Sequence, residues 1–180
     1  QEIEGAVIFE AESHDDIARL TYMAQSISKT MLILGSFTFE KQMDLDKNII
    51  DCVAGIDFSD WFKEERKFRV NCIHDDDIDV ESSDIAAFTG EQVVLRTKVK
   101  ADLNNPDIIV LVAMLNEKVF IGIDFAGVDL SKRDYKIYNH PSALNGAVGF
   151  DLLMASGWER EKTLLDPMCG SGIIPIEAAL

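Results

Sequence analysis

One string of nine residues constrains this chain more than any other: Leu164-Leu165-Asp166-Pro167-Met168-Cys169-Gly170-Ser171-Gly172. A short apolar run delivers a carboxylate. A glycine-rich turn follows at once, and Ile173, Ile174 and Ile176 open a helix behind it. Gly170 and Gly172 can take positive φ at little cost and let a ligand approach the backbone. The helix start then offers N–H groups to a carboxylate or phosphate. The expected strand, 163–166, has no sheet of its own to join, so this strand, loop and helix cannot make a domain alone. The chain is therefore expected to be a piece of a longer protein. Taken as a bare pattern, the loop also fits a dinucleotide-binding turn or an ordinary strand-to-helix turn. Pro167 and Cys169 inside the string set it apart.

The residues ahead of this string are globular in composition. Hydrophobic residues make up 47% of the chain, too many for disorder. No apolar run reaches the ~20 residues a membrane-spanning helix needs. The opening Gln1-Glu2-Ile3-Glu4 lacks the basic and apolar regions of a secretory signal. Cys52, Cys72 and Cys169 are odd in number and widely spaced. They show no disulfide framework or zinc knuckle, which suits a reducing cytoplasm. A formal net charge of -15 argues against nucleic-acid binding by bulk attraction. The charge is uneven, however. Residues 1–65 hold 5 Lys/Arg against 14 Asp/Glu, and residues 95–136 hold 7 against 6. The middle of the chain is thus the plausible electrostatic footprint for RNA. No metal site is expected. Asp75, Asp77 and Asp79 open like a calcium loop, but Val80 and Ala86 stand where that loop needs Gly and Glu. His14, His74 and His140 share no ligand spacing.

Periodicity gives the expected elements. Residues 5–10 read as a strand, and Ser13 with Asp15 and Asp16 as a capped helix start. Residues 31–39 read as a strand. Leu45, Ile49 and Val53 mark a helix closed by Gly55. Residues 68–73 alternate like a half-buried strand. Ser82 or Ser83 caps a helix carrying Ile85 and Phe88, with an interruption expected near Gly90. Residues 93–99 fit either a longer helix or a strand. Two β-rich runs, 107–115 and 118–125, flank Asn116-Glu117 as a hairpin. Residues 129–139 are polar, as in a linker, and 142–158 carry one apolar helical face. Trp61 and Phe62 could stack on a base or serve as a packing anchor.

Asp166 to Gly172 resembles the first motif of class I S-adenosylmethionine (SAM)-dependent methyltransferases. The Asp-Pro-x-Cys-Gly-Ser-Gly form is similar to enzymes that modify exocyclic amino groups of bases. The resemblance implies that Asp166, Pro167, Cys169, Gly170, Ser171 and Gly172 hold SAM, with Cys169 a pocket wall rather than a nucleophile. His140-Pro141-Ser142-Ala143-Leu144 is similar to a segment that lines the SAM site in these enzymes, which implies Ser142 and Leu144. Equally, Pro141 starts a helix and Leu144 is core.

Residues 66–137 resemble a THUMP domain, an RNA-binding module of tRNA-modifying enzymes. The strings that carry this are Lys67-Phe68-Arg69-Val70, Val80-Glu81-Ser82-Ser83-Asp84-Ile85, Lys100-Ala101-Asp102-Leu103-Asn104-Asn105-Pro106-Asp107, Phe120-Ile121-Gly122-Ile123-Asp124 and the run from Gly127 to Tyr135. Residues 5–58 resemble the ferredoxin-like domain that precedes THUMP, without its usual opening strand and helix. The expected architecture is α+β: a ferredoxin-like domain over 1–65, THUMP over 66–137, and the first elements of a Rossmann-like α/β methyltransferase domain over 138–180. The resemblance implies an enzyme that methylates guanine N2 in tRNA and holds the acceptor stem and 3′ end. Arg69, Arg96, Lys98, Lys100, Lys132 and Arg133 are the phosphate-contact candidates. The acidic run Asp75-Asp76-Asp77 departs from the basic residues usual after Val70. The family's Asn/Asp-Pro-Pro catalytic loop is not among these residues, so the chain by itself is expected to be inactive. A pure RNA-binding module and a DNA amino-methyltransferase remain alternatives.

Overall fold

The computed structural model describes residues 2–3, 5–39, 44–63, 66–136 and 143–180. The chain divides into two compact units, Gln1–Glu12 with Met31–Phe125, and Ser13–Thr30 with Ala126–Leu180.

The first unit begins with two short strands, β1 (Glu2–Ile3) and β2 (Ala6–Val7), paired antiparallel. The expected strand over 5–10 is thus only two residues long. The main sheet has four strands in the order β3-β6-β5-β4. They are β3 (Met31–Thr38), β4 (Phe68–His74), β5 (Ile108–Leu115) and β6 (Lys118–Asp124). β6 runs antiparallel to both β3 and β5, while β4 and β5 are parallel. A parallel pair needs a crossover, and α3 (Ser82–Thr97) supplies it between β4 and β5. β5 and β6 form the expected hairpin. Asn116 takes φ 53° in its turn, a left-handed conformation that asparagine tolerates better than most residues.

The core lies between one sheet face and two helices. On α2 (Leu45–Gly55) the buried residues are Leu45, Ile49 and Val53; on α3 they are Ile85, Thr89 and Val93. Both sets repeat every four residues, which puts each on one helical face. Phe68, Val70, Val110, Val112, Met114, Val119, Ile121 and Ile123 complete the same apolar cluster. Each fully buried side chain of this kind contributes roughly 1.5–3 kcal/mol. The interruption expected near Gly90 does not occur; α3 is continuous through to Thr97.

The domain boundary expected at 65/66 is not observed. β3 pairs with β6 from Met31↔Asp124 to Thr38↔Lys118, and α2 shares its core with the strands after residue 66. The cause is physical. A lone strand and helix cannot bury their apolar faces, whereas β6 offers β3 a full ladder. A bulge between Ile33 and Gly35 adjusts the register. At Gly35 an added Cβ would lie 2.7 Å from Cys52 Sγ, so the missing side chain allows α2 to seat against β3.

The second unit contains α1 (His14–Met23), α4 (Gly146–Ala155) and α5 (Ile173–Ala179). Ser13 caps α1 as expected, its hydroxyl accepting the Asp16 N–H at 3.2 Å. Asn145 caps α4, its side chain accepting the Ala147 N–H at 2.9 Å. The described helix therefore begins four residues later than the sequence pattern suggests. Residues 163–166 form no ladder; no described strand lies beside them to pair with. Of the described helices, none is long and apolar enough to cross a membrane.

Candidate cofactor loop and RNA-contact residues

The glycine loop is built as its residue types demand. Asp166 Oδ1 accepts the N–H of Met168 at 3.2 Å, folding the chain back over Pro167. Gly170 and Gly172 both take positive φ, 54° and 77°. The Gly172 N–H reaches Cys169 O at 2.7 Å, and Ile176 N–H reaches Gly172 O at 3.0 Å. Gly172 is thereby the N-cap of α5. An added Cβ at Gly170 would meet nothing within 4 Å, so the loop is open there. Met168, Cys169, Gly170 and Ser171 are exposed, and Asp166 is half-buried. Cys169 is a free thiol. Leu144 lies in the same unit, its Cδ2 3.7 Å from where a Cβ on Gly149 would stand. Ser142 falls outside the described residues.

Behind the loop, α5 carries a charge into the interior. The Glu177 side chain is 0% exposed and that of Arg133 12%. Arg133 donates through Nε to Glu177 Oε1 at 2.8 Å and through Nη2 to Oε2 at 3.2 Å, a two-pronged pair. The Tyr135 hydroxyl donates to Oε1 at 2.5 Å. Gln25 Nε2 donates to Oε2 at 3.1 Å and to the Glu177 carbonyl at 3.2 Å. Arg133 also donates to the carbonyls of Leu130 and Gln25. Burial alone would push the Glu177 carboxyl up, but the hydrogen bonds from Arg133 and Tyr135 outweigh it and hold the carboxyl below its ordinary value. Burial, then the bond to Glu177, pushes the Tyr135 phenol up to about 12. This cluster was not anticipated from sequence. A signal did exist: Glu177 is a lone acid in Ile-Ile-Pro-Ile-Glu-Ala-Ala, and a carboxylate on the buried face of an apolar helix requires a paired cation.

The cations divide into different settings. Arg96, Lys98 and Lys100 are exposed at the end of α3 and just beyond it. Lys98 caps the helix with φ 62°. Lys100 O accepts the Phe68 N–H at 3.2 Å, which ties this segment to the start of β4. Arg96 and Thr97 line a cleft of about 270 Å³ with Asp57, Ser59 and Phe62. The Ser59 backbone N–H, followed by its side chain, holds Asp57 below its ordinary value. Arg69 is half-buried on β4, with a buried Nε that has no hydrogen-bond partner among the described residues. Lys132 is exposed, 3.8 Å from Asp129. Arg133 is committed to Glu177 and so is not presented for phosphate contact. The acidic loop serves the fold. Asp75 Oδ2 accepts the Asn116 N–H at 2.7 Å and fastens the hairpin turn to the end of β4. Phe62 stacks on Phe58 and tilts against Phe68, both at 5.2 Å, and Trp61 meets Phe125 edge-on at 5.9 Å. Both rings pack against the core.

Compared with known proteins, residues 46–124 match the THUMP domain family, and residues 133–180 match the family described as RMKL-like, methyltransferase domain. One chain thus carries both a THUMP match and a match to a methyltransferase family. The THUMP match starts inside α2 and ends at the last residue of β6. The module is therefore shifted toward the N-terminus from the expected 66–137, and Lys132 and Arg133 fall outside it. The chain is 34% identical to the tRNA (guanine(6)-N2)-methyltransferase of Methanocaldococcus jannaschii, over 91% of this chain and 44% of that protein. It is 33% identical to the protein of the same name from Archaeoglobus fulgidus, over 100% of this chain and 46% of that one. The chain thus spans just under half the length of these curated relatives. The fold also matches the crystal structure of TrmN from Thermus thermophilus, with a TM-score of 0.70 at 22% identity, covering 96% of this chain and 50% of that one.

Proposed function

We propose that this chain is the RNA-anchoring and cofactor-loop portion of an enzyme that methylates N2 of a guanine in tRNA, using SAM. The observation that carries the reading is the presence of both parts in one chain: a THUMP sheet with exposed cations, and an Asp166-to-Gly172 loop that caps a helix. Two relatives whose printed names specify tRNA guanine N2 support the substrate.

The loop fits the methionine end of SAM. Gly170 faces open space, and the first N–H groups of α5 suit a carboxylate. Asp166, Pro167, Cys169, Gly170, Ser171 and Gly172 would hold the cofactor, with Cys169 as a wall. Ser142 and Leu144 would border the same site. SAM supplies an electrophilic methyl group when bound. The chain's own residues bind and orient; no group here is assigned to move the proton of the target amine. On the THUMP side, Arg96, Lys98 and Lys100, with Arg69, contact phosphates of the acceptor stem and 3′ end; Lys132, outside the matched module, is a further phosphate-contact candidate. The three free cysteines suit a cytoplasmic setting.

The test is tRNA binding at low and moderate salt, with and without the 3′ terminal nucleotides. Binding should weaken with salt and with 3′ trimming. Replacing Arg96, Lys98 and Lys100 together by Glu should reduce the salt slope by roughly 2–3, near one unit for each phosphate no longer neutralised. Binding indifferent to both changes would remove the THUMP–tRNA reading. Equal competition by duplex DNA would favour a DNA substrate instead.

A further inference from the structure

The Arg133–Glu177 cluster is the feature that the proposed function does not use. α5 has only seven residues, too few to hold its own helical conformation in water. Its position is therefore set by what it touches. Two of its residues are buried, Ile173 and Glu177, one turn apart on the same face. Ile173 is apolar, and its contacts have no preferred direction. Glu177 does not, because its two oxygens are each engaged by donors of fixed direction: the Arg133 fork, the Tyr135 hydroxyl and the Gln25 amide.

α4 shows how tightly the place is specified. A Cβ on Gly146 would stand 2.5 Å from Arg133 Cγ, 2.6 Å from Nε and 2.8 Å from Glu177 Oε1. A Cβ on Gly149 would stand 2.8 Å from Ile173 Cγ2. Glycine at both positions brings α4 against the ion pair and against the first turn of α5. From Glu177 the restraint runs back along the helix. Ile176 N–H closes on Gly172 O, and Gly172 N–H closes on Cys169 O. A shift of α5 would move Gly172 and with it the open backbone at Gly170.

We propose that Arg133, Tyr135 and Gln25 are positioning residues that act through Glu177 to hold the glycine loop in its cofactor-ready shape. A buried ion pair contributes little net stability compared with apolar residues of the same size. What it does supply is direction, since the guanidinium fork accepts a carboxylate in few orientations. The segment containing Gln25 precedes the THUMP match in sequence, yet it contributes to the unit that carries the loop. The inference rests on the reading of the loop as a SAM site, and the experiment separates the two.

Hydrogen exchange is followed in this chain for peptides from 166–180 and from α4, with SAM binding read by equilibrium dialysis. Arg133→Met and Glu177→Gln should each speed exchange in 166–180 by ~10-fold or more, with a smaller change in α4. SAM affinity should fall by a similar factor. Arg133→Lys should restore part of both effects, and Tyr135→Phe, which keeps the ion pair, should show the least. Exchange and affinity unchanged in Arg133→Met would overturn the positioning role. So would an equal rise across α1, α4 and α5, the mark of a purely structural pair. If the unaltered chain binds no SAM, the cofactor reading fails, while the exchange comparison still decides whether Glu177 holds the loop.

Discussion

The two units solve the same problem with different materials. In the first, position is set by shape: sixteen buried apolar residues on β4, β5, β6, α2 and α3 and the loop after α2 form one cluster. In the second, position is set by hydrogen-bonding valence: Glu177 sits at the meeting point of Arg133, Tyr135, Gln25 and the glycines of α4. An apolar core resists loss of volume and tolerates exchange of like for like. A buried charge cluster resists the loss of either partner. A sheet used as a platform needs only the first property. A short helix whose end must present a loop at one place gains from the second.

The largest expected effect breaks the first unit. Phe68 is 0% exposed, and Phe68→Ala should cost about 3–5 kcal/mol by lost burial plus cavity. Chemical denaturation should show it, with exchange in β5 and β6 rising while α5 is unaffected. A comparable loss, concentrated in α5 and the glycine loop, is expected from Arg133→Met, about 3–5 kcal/mol, because Glu177 is left buried without its cation. The double variant Arg133→Met with Glu177→Leu sharpens the contrast. It should recover most of the stability, as replacing both partners by apolar groups usually does, but not the loop's protection or its SAM affinity. Recovery of all three would reduce the cluster to packing.

Acid should also separate the units. The Glu177 carboxyl is held below its ordinary value. Its contribution is complete above the usual carboxylate range and is lost as the pH falls through the depressed value. Tyr135 titrates at about 12, so its share is present below the ordinary phenol range and is lost as pH rises through 12. Glu177→Gln should flatten the acid limb of α5 exchange. In the first unit, backbone N–H groups of Asn105 and Asn104 and the Lys67 ammonium hold Asp102 down to about 2, and that limb should survive the Glu177 change. The smallest effect is Ser13→Ala, about 1 kcal/mol from the lost α1 cap, read as a small shift in thermal unfolding of the second unit.

Much of the local structure was legible in the residues. Leu45, Ile49 and Val53 predicted the buried face of α2, Ser13 the cap of α1, and Asn116-Glu117 the hairpin turn. Those signals are local: a period of 3.6 or 2, a capping side chain, a residue tolerant of positive φ. The glycine string likewise specified its own turn, because Asp166 and Gly172 bond within a few residues and Gly170 and Gly172 take positive φ. Gly90 misled for the converse reason, since a helix packed against β4 absorbs the small propensity cost of one glycine.

What the sequence by itself determined, then, is the set of elements, the hairpin and the shape of the loop. Only the tertiary structure decided that β3 joins the sheet of β4, β5 and β6 and α2 its core, and that Arg133 pairs with Glu177. Strand partnership depends on which apolar faces and open edges find each other across long stretches of chain. A cation's role depends on whether a carboxylate is buried within its reach, and residues 133 and 177 stand too far apart in sequence for any periodicity to reveal it.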